Sequence, residues 1–145
     1  MRESVQAEVM MSFLVSEELA FRIPVELGYE AADPYAVQLT FHLPGDAPVS
    51  WTFGRELLVD GVAGPCGDGD VHIAPDNPEL LSDVLITLQV GTEQAVFRAG
   101  VAPLIAFLDR TDKLVPLGQE RSMAGFDSLL DQALDRILAE EQSAG

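Results

Sequence analysis

A chain of 145 residues, 48% apolar and 22% charged, has the size and composition of one globular domain and is too apolar to stay disordered. Eight Lys and Arg against 24 Asp and Glu give a formal charge of −16, spread from Glu3 to Glu141. Nucleic acids and anionic membranes both recruit proteins through clustered Lys and Arg, so this balance disfavours either as a partner.

The N-terminal half alternates apolar and polar side chains with a period of two. Val5, Ala7, Val9, Met11, Phe13 and Val15 share one parity. The pattern resumes at Phe21, Ile23, Val25, Leu27 and Tyr29, again at Tyr35, Val37, Leu39, Phe41 and Leu43, and once more at Val49, Trp51 and Phe53. Strands place successive side chains on opposite faces, so these runs predict four half-buried antiparallel strands. The breaks "GYEAADP" and "LPGDAP" carry turn residues. Pro24 removes a ladder donor, which predicts an edge position or a bulge for the second strand.

"GRELLVDG" (54–61) reads as a short helix closed by glycine, and "GPCGDGD" as a loop. Strands are expected at about 70–75, 83–90 and 94–99. Pro103 opens a helix bearing Val101, Leu104, Ile105 and Leu108 on one side. After the irregular "VPLGQERSMAG", a last helix capped by Asp127 places Phe126, Leu129, Leu130, Ala133, Leu134, Ile137 and Leu138 on one stripe. This order predicts a single α+β domain over residues 1–145, with no linker. The strand-then-helix order occurs twice, which points to a duplicated unit.

Candidate chemistry is sparse. His42 lies on the polar parity of its strand beside Gln38 and Thr40, and His72 follows Asp70 on a similar face. Neither has a neighbouring nucleophile, and no His-x-x-x-His or Cys-x-x-Cys spacing pairs them on a metal. "GDGD" (67–70) lacks the ligand spacing and closing Glu of a calcium loop, and reads as a tight hairpin entrance. The single cysteine, Cys66, has no basic neighbour to activate it and excludes an intrachain disulfide. Ser50, Ser82 and Ser128 sit in no Gly-x-Ser-x-Gly elbow. No cofactor or metal site is expected. "MRESVQAEVMMSF" lacks a signal-peptide core and no apolar run approaches roughly 18 residues, so a cytoplasmic chain without membrane insertion is expected. Leu57 and Leu58 are hard to bury together on so short a helix, which makes one of them an interface candidate.

Four strings, "ADPYAVQLTFH", "WTFGRELLVDGV", "GPCGDGDVHIAP" and "FLDRTDKLVPLGQE", in this order and spacing, resemble the SsgA-like proteins of actinomycetes, regulators of sporulation-specific cell division. The resemblance runs from about residue 5 to 140. It implies a non-catalytic protein that binds the tubulin-like division protein FtsZ, recruits it to septum sites and promotes its assembly, alongside other division or cell-wall partners. It also implies a whirly-like fold, similar to mitochondrial guide-RNA-binding proteins: antiparallel sheets backed by helices in a bell-shaped homo-oligomer, expected as a trimer. Asp33, Pro34, Tyr35, Trp51, Arg55, Leu58, Asp70, Pro75, Phe107 and Thr111 match the family pattern. Pro34 and Pro75 are expected to shape turns, Trp51 and Phe107 to pack, and Arg55 and Leu58 to form a partner-binding surface. The acidic turn in "SEELAFRIP" departs from that pattern and is a place where partner preference can change. Two rivals stand beside the adaptor: a whirly-like single-strand binder, which the −16 charge disfavours, and an enzyme built on a carboxylate pair.

Overall fold

The alternation of the first half produces a meander of β1 (Ser4–Leu14), β2 (Ala20–Glu30), β3 (Ala36–Phe41) and β4 (Val49–Gly54). Helix α1 (Arg55–Gly61) follows, then a second meander of β5 (Cys66–Asp68), β6 (Val71–Asn77), β7 (Leu80–Val90) and β8 (Glu93–Gly100), and helix α2 (Val101–Leu114). The computed structural model describes residues 3–77 and 79–120. All eight strands form one antiparallel sheet in the order β4-β3-β2-β1-β8-β7-β6-β5. Two units of four strands and a helix therefore stand side by side, joined where Met11–Leu14 of β1 pairs with Val96–Ala99 of β8.

Buried side chains share one face of this sheet: Ile23, Val25, Leu27, Val37, Leu39 and Phe41 in the first unit, Ile73, Val84, Ile86, Leu88 and Phe97 in the second. The sheet curls around them. Strands β3 and β8 are three spacings apart, about 14 Å in a flat sheet. Yet the Phe41 and Phe97 rings stack with centroids 4.4 Å apart, and Phe97 also stacks on Phe13 at 4.9 Å. Leu57 and Leu58 of α1, and Leu104, Phe107 and Leu108 of α2, fill the remaining apolar space. Gly61 lets α1 close on β6, since a Cβ there would overlap the Ile73 side chain.

Several expectations change. Strand β2 is not at an edge: it lies between β1 and β3 with an unbroken register against β1, Met10 facing Pro24. The Pro24 carbonyl accepts from the His42 N–H at 3.2 Å, so the missing donor also points toward β3, one residue past that strand's end. The proline ends a ladder and breaks none. The second unit has four strands, because Cys66–Asp68, expected as loop, pairs with Val71–Ile73. Three residues are too few to show alternation. Gly69 at φ 59° provides the tight hairpin turn into β6.

Tyr35 sits in the turn before β3 and is half exposed. Pro34 shapes that turn, whereas Pro75 lies inside β6 beside a register shift between Pro75 and Asn77. Both Leu57 and Leu58 are buried, because α1 is wedged between β4 and the β5–β6 hairpin. Helix α2 starts two residues before Pro103, still within the first turn, where no N–H has an intrahelical partner. Asp127, Ser128 and the stripe from Phe126 to Leu138 lie outside the described residues.

Phe97 stacks on rings from two other strands, so Phe97→Ala should cost about 3–5 kcal/mol in urea-induced unfolding. Pro24→Ala, which can add at most one N–H toward the His42 carbonyl beyond the end of β3, should stay within about 1 kcal/mol of the parent.

Candidate functional site

Arg55, expected on the surface, is wholly buried. As the first residue of α1, its N–H still belongs to the sheet and donates to the Tyr35 carbonyl at 2.6 Å. Its guanidinium reaches across into the second unit. Nη1 donates to the Val115 carbonyl at 2.7 Å and to the Thr111 carbonyl at 3.2 Å, and Nη2 donates to Glu120 Oε1 at 2.5 Å. Cζ lies 4.8 Å from the centre of the Tyr29 ring, close enough for a cation–π contact. Leu58 is also wholly buried, in the core beneath α1. Neither side chain meets solvent, so in this fold they are interior supports and not a contact surface.

Charge in this cluster is held by its hydrogen bonds. Burial on its own pushes the Glu120 carboxyl up, but the hydrogen bond from Arg55, backbone donors and the Arg55 charge outweigh it and hold the group below its ordinary value. Burial raises the Tyr29 hydroxyl, against the lowering influence of Arg55. Tyr29 therefore stays a donor, to the Pro34 carbonyl at 2.9 Å.

The other sequence candidates are dispersed. His42 pairs with Glu26 at 3.3 Å on the solvent side of the sheet. His72 lies across Gly67 in the β5–β6 hairpin, where a Cβ would overlap its ring. Strand β6, which carries His72, lies five places from β3, which His42 follows, and each histidine has its own neighbours. Cys66 is half-buried against the core. Among the described residues no group of three or more His, Cys, Asp or Glu is placed to hold a metal ion. Glu8 and Glu26 are cross-strand neighbours in an open concavity of about 370 Å³ on the polar face, with Gln6, Gln38 and Thr40 around them.

An exposed apolar surface lies at the far end of the β1–β2 hairpin, and the path of α2 explains it. That helix leaves the sheet at Gly100, next to the Ala99–Met11 pair, and runs back until Arg110 Nη1 donates to the Gln6 carbonyl at 3.0 Å. It covers β1 from Met11 toward the strand's start. Beyond Met11 the apolar parity continues past the reach of α1 and α2, the helices of the described residues. Phe13, Val15, Phe21, Ile23, Leu43 and Pro44 line a groove of about 280 Å³, with Asp46 at its rim. Val15 is 52% exposed and Phe21 48%. The turn holding them open is built by Ser16, whose Oγ accepts the N–H groups of Glu18 and Leu19 at 3.3 and 3.1 Å. This is the "SEELAFRIP" segment. Its departure from the family pattern was the available signal. The exposed apolar groove beside it needed the position of α2.

Arg55→Met should destabilise the protein by about 3–5 kcal/mol, because Glu120 and the Val115 carbonyl lose a donor they cannot replace. Arg55→Lys should recover little of this, since one ammonium cannot span the forked contact. The depressed Glu120 contributes stability that is present above its unfolded value and lost as pH falls through its lower folded value. Urea midpoints measured from neutral to acid pH should show that loss in the parent and a smaller one in Glu120→Gln.

Residues 23–120 match the family model described as "Streptomyces sporulation and cell division protein, SsgA". The sporulation-specific cell division protein SsgB of Streptomyces coelicolor is 40% identical over 140 residues, covering 97% of this chain and 99% of that protein. SsgB of Thermobifida fusca is 38% identical over 133 residues, covering 90% and 95%. A solved SsgA-like sporulation-specific cell division protein from Thermobifida fusca superposes with a TM-score of 0.81 at 38% identity, covering 91% of this chain and 96% of its own. The structure described as "Mutations in SsgB correlate to longitudinal cell division during sporulation of Streptomyces coelicolor" superposes at 0.78 with 37% identity, covering 85% and 97%. With its α+β architecture, a family match over most of its length and relatives this similar across nearly all of it, the chain belongs to the SsgA-like family of sporulation and cell division proteins.

Proposed function

We propose that this protein is a non-catalytic adaptor of sporulation-specific cell division that binds FtsZ, brings it to septum sites and promotes its assembly. It acts as a cytoplasmic homo-oligomer concentrated at division septa, and it docks its partner on the apolar end of the β1–β2 hairpin. The observation that carries the docking surface is the groove lined by Phe13, Val15, Phe21 and Leu43, which neither helix covers. Exposed apolar patches rimmed by polar groups mark protein contacts more often than they mark chemistry. Asp46 lies at the rim of the groove, and the exposed Glu17 and Glu18 follow Val15 in the adjoining turn. The SsgB names of the relatives support the division role. The dispersal of His42, His72 and Cys66 favours an adaptor over an enzyme. The single-strand binder is disfavoured because two open concavities of the sheet are lined by Glu8, Glu26, Glu30 and Asp33, and a third sets Arg22 and Arg98 beside Glu8 and Asp83.

The test is co-sedimentation with GTP-assembled FtsZ from the same organism, against a control without GTP. The parent should enrich in the polymer pellet. Phe21→Asp should weaken that enrichment about tenfold or more while leaving stability within about 1 kcal/mol, because the side chain is half exposed. Apolar contact predicts little loss between low and physiological salt. Absence of the parent from the pellet, or equal binding by Phe21→Asp, overturns the assignment.

A further inference from the structure

We infer that Arg22, Ser12 and Arg98 form a carboxylate site on the polar face of the sheet, which takes an acidic residue of an extended partner peptide together with an apolar residue close to it. The strand register builds this site. Ser12 of β1 lies opposite Arg22 of β2 on one side and opposite Arg98 of β8 on the other. Residues directly across a sheet share a face, with Cβ atoms about 4.5–5.5 Å apart, so two guanidinium groups flank one hydroxyl. The row crosses the seam between the two units. Two residues past Arg98, β8 ends at Gly100 and the chain turns into α2. The departing strand leaves an open concavity of about 460 Å³ beside β1, lined by Ser12, Arg22, Arg98 and Met10, with Glu8 and Asp83 further along.

The donors of this row are largely free. Elsewhere Arg55 meets Glu120, Lys113 pairs with Asp109 at 3.1 Å, and Arg110 donates to the Gln6 carbonyl. Arg22 is exposed and has no ion pair or hydrogen bond among the described residues, in a chain with 24 acids to eight bases. Arg98 donates Nε to Asp76 Oδ2 at 3.0 Å and keeps its Nη groups. The half-buried Ser12 hydroxyl is also unpartnered among the described residues. The two cations stand two strand spacings apart, about 10 Å, and hold a local positive field on a molecule that repels anions over most of its surface.

Guanidinium forks fit carboxylates and phosphates alike, so the surroundings decide between them. Glu8 lies four residues from Ser12, about 13 Å along β1, and Asp83 is paired with Gly100. A single carboxylate seated on the Ser12 row stays clear of both acids, whereas a polyanion laid along the face meets them. Like-charge contact of that kind selects against the wrong ligand. Next to the row, two residues from Ser12 on the same face, Met10 is 44% exposed. An extended peptide also repeats its side-chain direction every second residue, so an acid on the Ser12 row sets the residue two positions away over Met10. That position calls for an apolar side chain. The hairpin groove uses Phe13 and Phe21, which point to the other face, so the two sites share no residue.

The experiment is an NMR titration of the ¹⁵N-labelled full chain with the blocked peptide acetyl-Leu-Gly-Glu-Gly-Leu-amide, which sets an apolar residue two positions from the acid in either direction. Its glutamine counterpart and inorganic phosphate are titrated at matched ionic strength. The glutamate peptide should shift the Ser12 amide and the Arg22 and Arg98 Nε–Hε signals saturably. The glutamine peptide should bind about tenfold more weakly or not at all, and phosphate, which gains nothing from Met10, more weakly than the glutamate peptide. Arg22→Gln should weaken the glutamate peptide about tenfold, Arg22→Lys by less, and Lys113→Gln, remote from the row, not at all. Arg22 is exposed and unpaired, so Arg22→Gln should keep the parent's circular dichroism and urea midpoint, which separates lost binding from lost fold. Absence of saturable shifts, equal binding of the two peptides, tighter binding of phosphate, or parent-like binding by Arg22→Gln overturns the inference.

Discussion

The Arg55 guanidinium is the joint on which the rest of the structure depends. The two strand-and-helix units share a sheet along only four residues of β1 and β8, and such a seam resists bending poorly. Arg55 crosses it. Its backbone belongs to the end of β4, its Cζ rests over Tyr29 of β2, and its nitrogens bind the end of α2 at Thr111, Val115 and Glu120. An arginine suits this place because its planar fork serves carbonyls and a carboxylate at once and its charge cannot be titrated away. A buried ion pair adds little stability over a well-packed apolar substitute, but removing one member is expensive. The cluster therefore favours one relative placement of α1 and α2 over alternatives that would strand a charge.

That placement decides what the molecule shows to its surroundings. With the end of α2 held near Arg55, the helix lies over the start of β1 and the end of β2. The curl that brings Phe41 onto Phe97 consumes most of the remaining apolar face. What neither helix nor curl reaches is the other end of the hairpin, from Phe13 to Phe21. The exposed groove is thus a geometric remainder of a packing problem solved elsewhere, and the Ser16 turn keeps it from folding back on itself.

How much of this was legible in the sequence follows from the range of each signal. Period-two alternation is local, so β1 to β4 could be read within a residue or two, as could α1 from its glycine. Strand β5 could not, because Cys66–Asp68 is too short to alternate and its pairing depends on the Gly69 turn. Pro24 misled for a different reason. Its rule is about hydrogen-bond partners, and whether a partner exists depends on where β3 stops, which β2 does not encode. Arg55, expected on a contact surface, is buried in the fold. A lone arginine in an acidic chain looks like a surface group until Thr111, Val115 and Glu120, more than fifty positions away, are brought to it.

The charge has a similar logic. A net −16 makes most encounters repulsive. Contacts are then favoured on surface where the charge is interrupted, and the groove at the hairpin end is such a place. In that arrangement the acidity acts as negative selection: it leaves affinity to a few side chains and withholds it everywhere else.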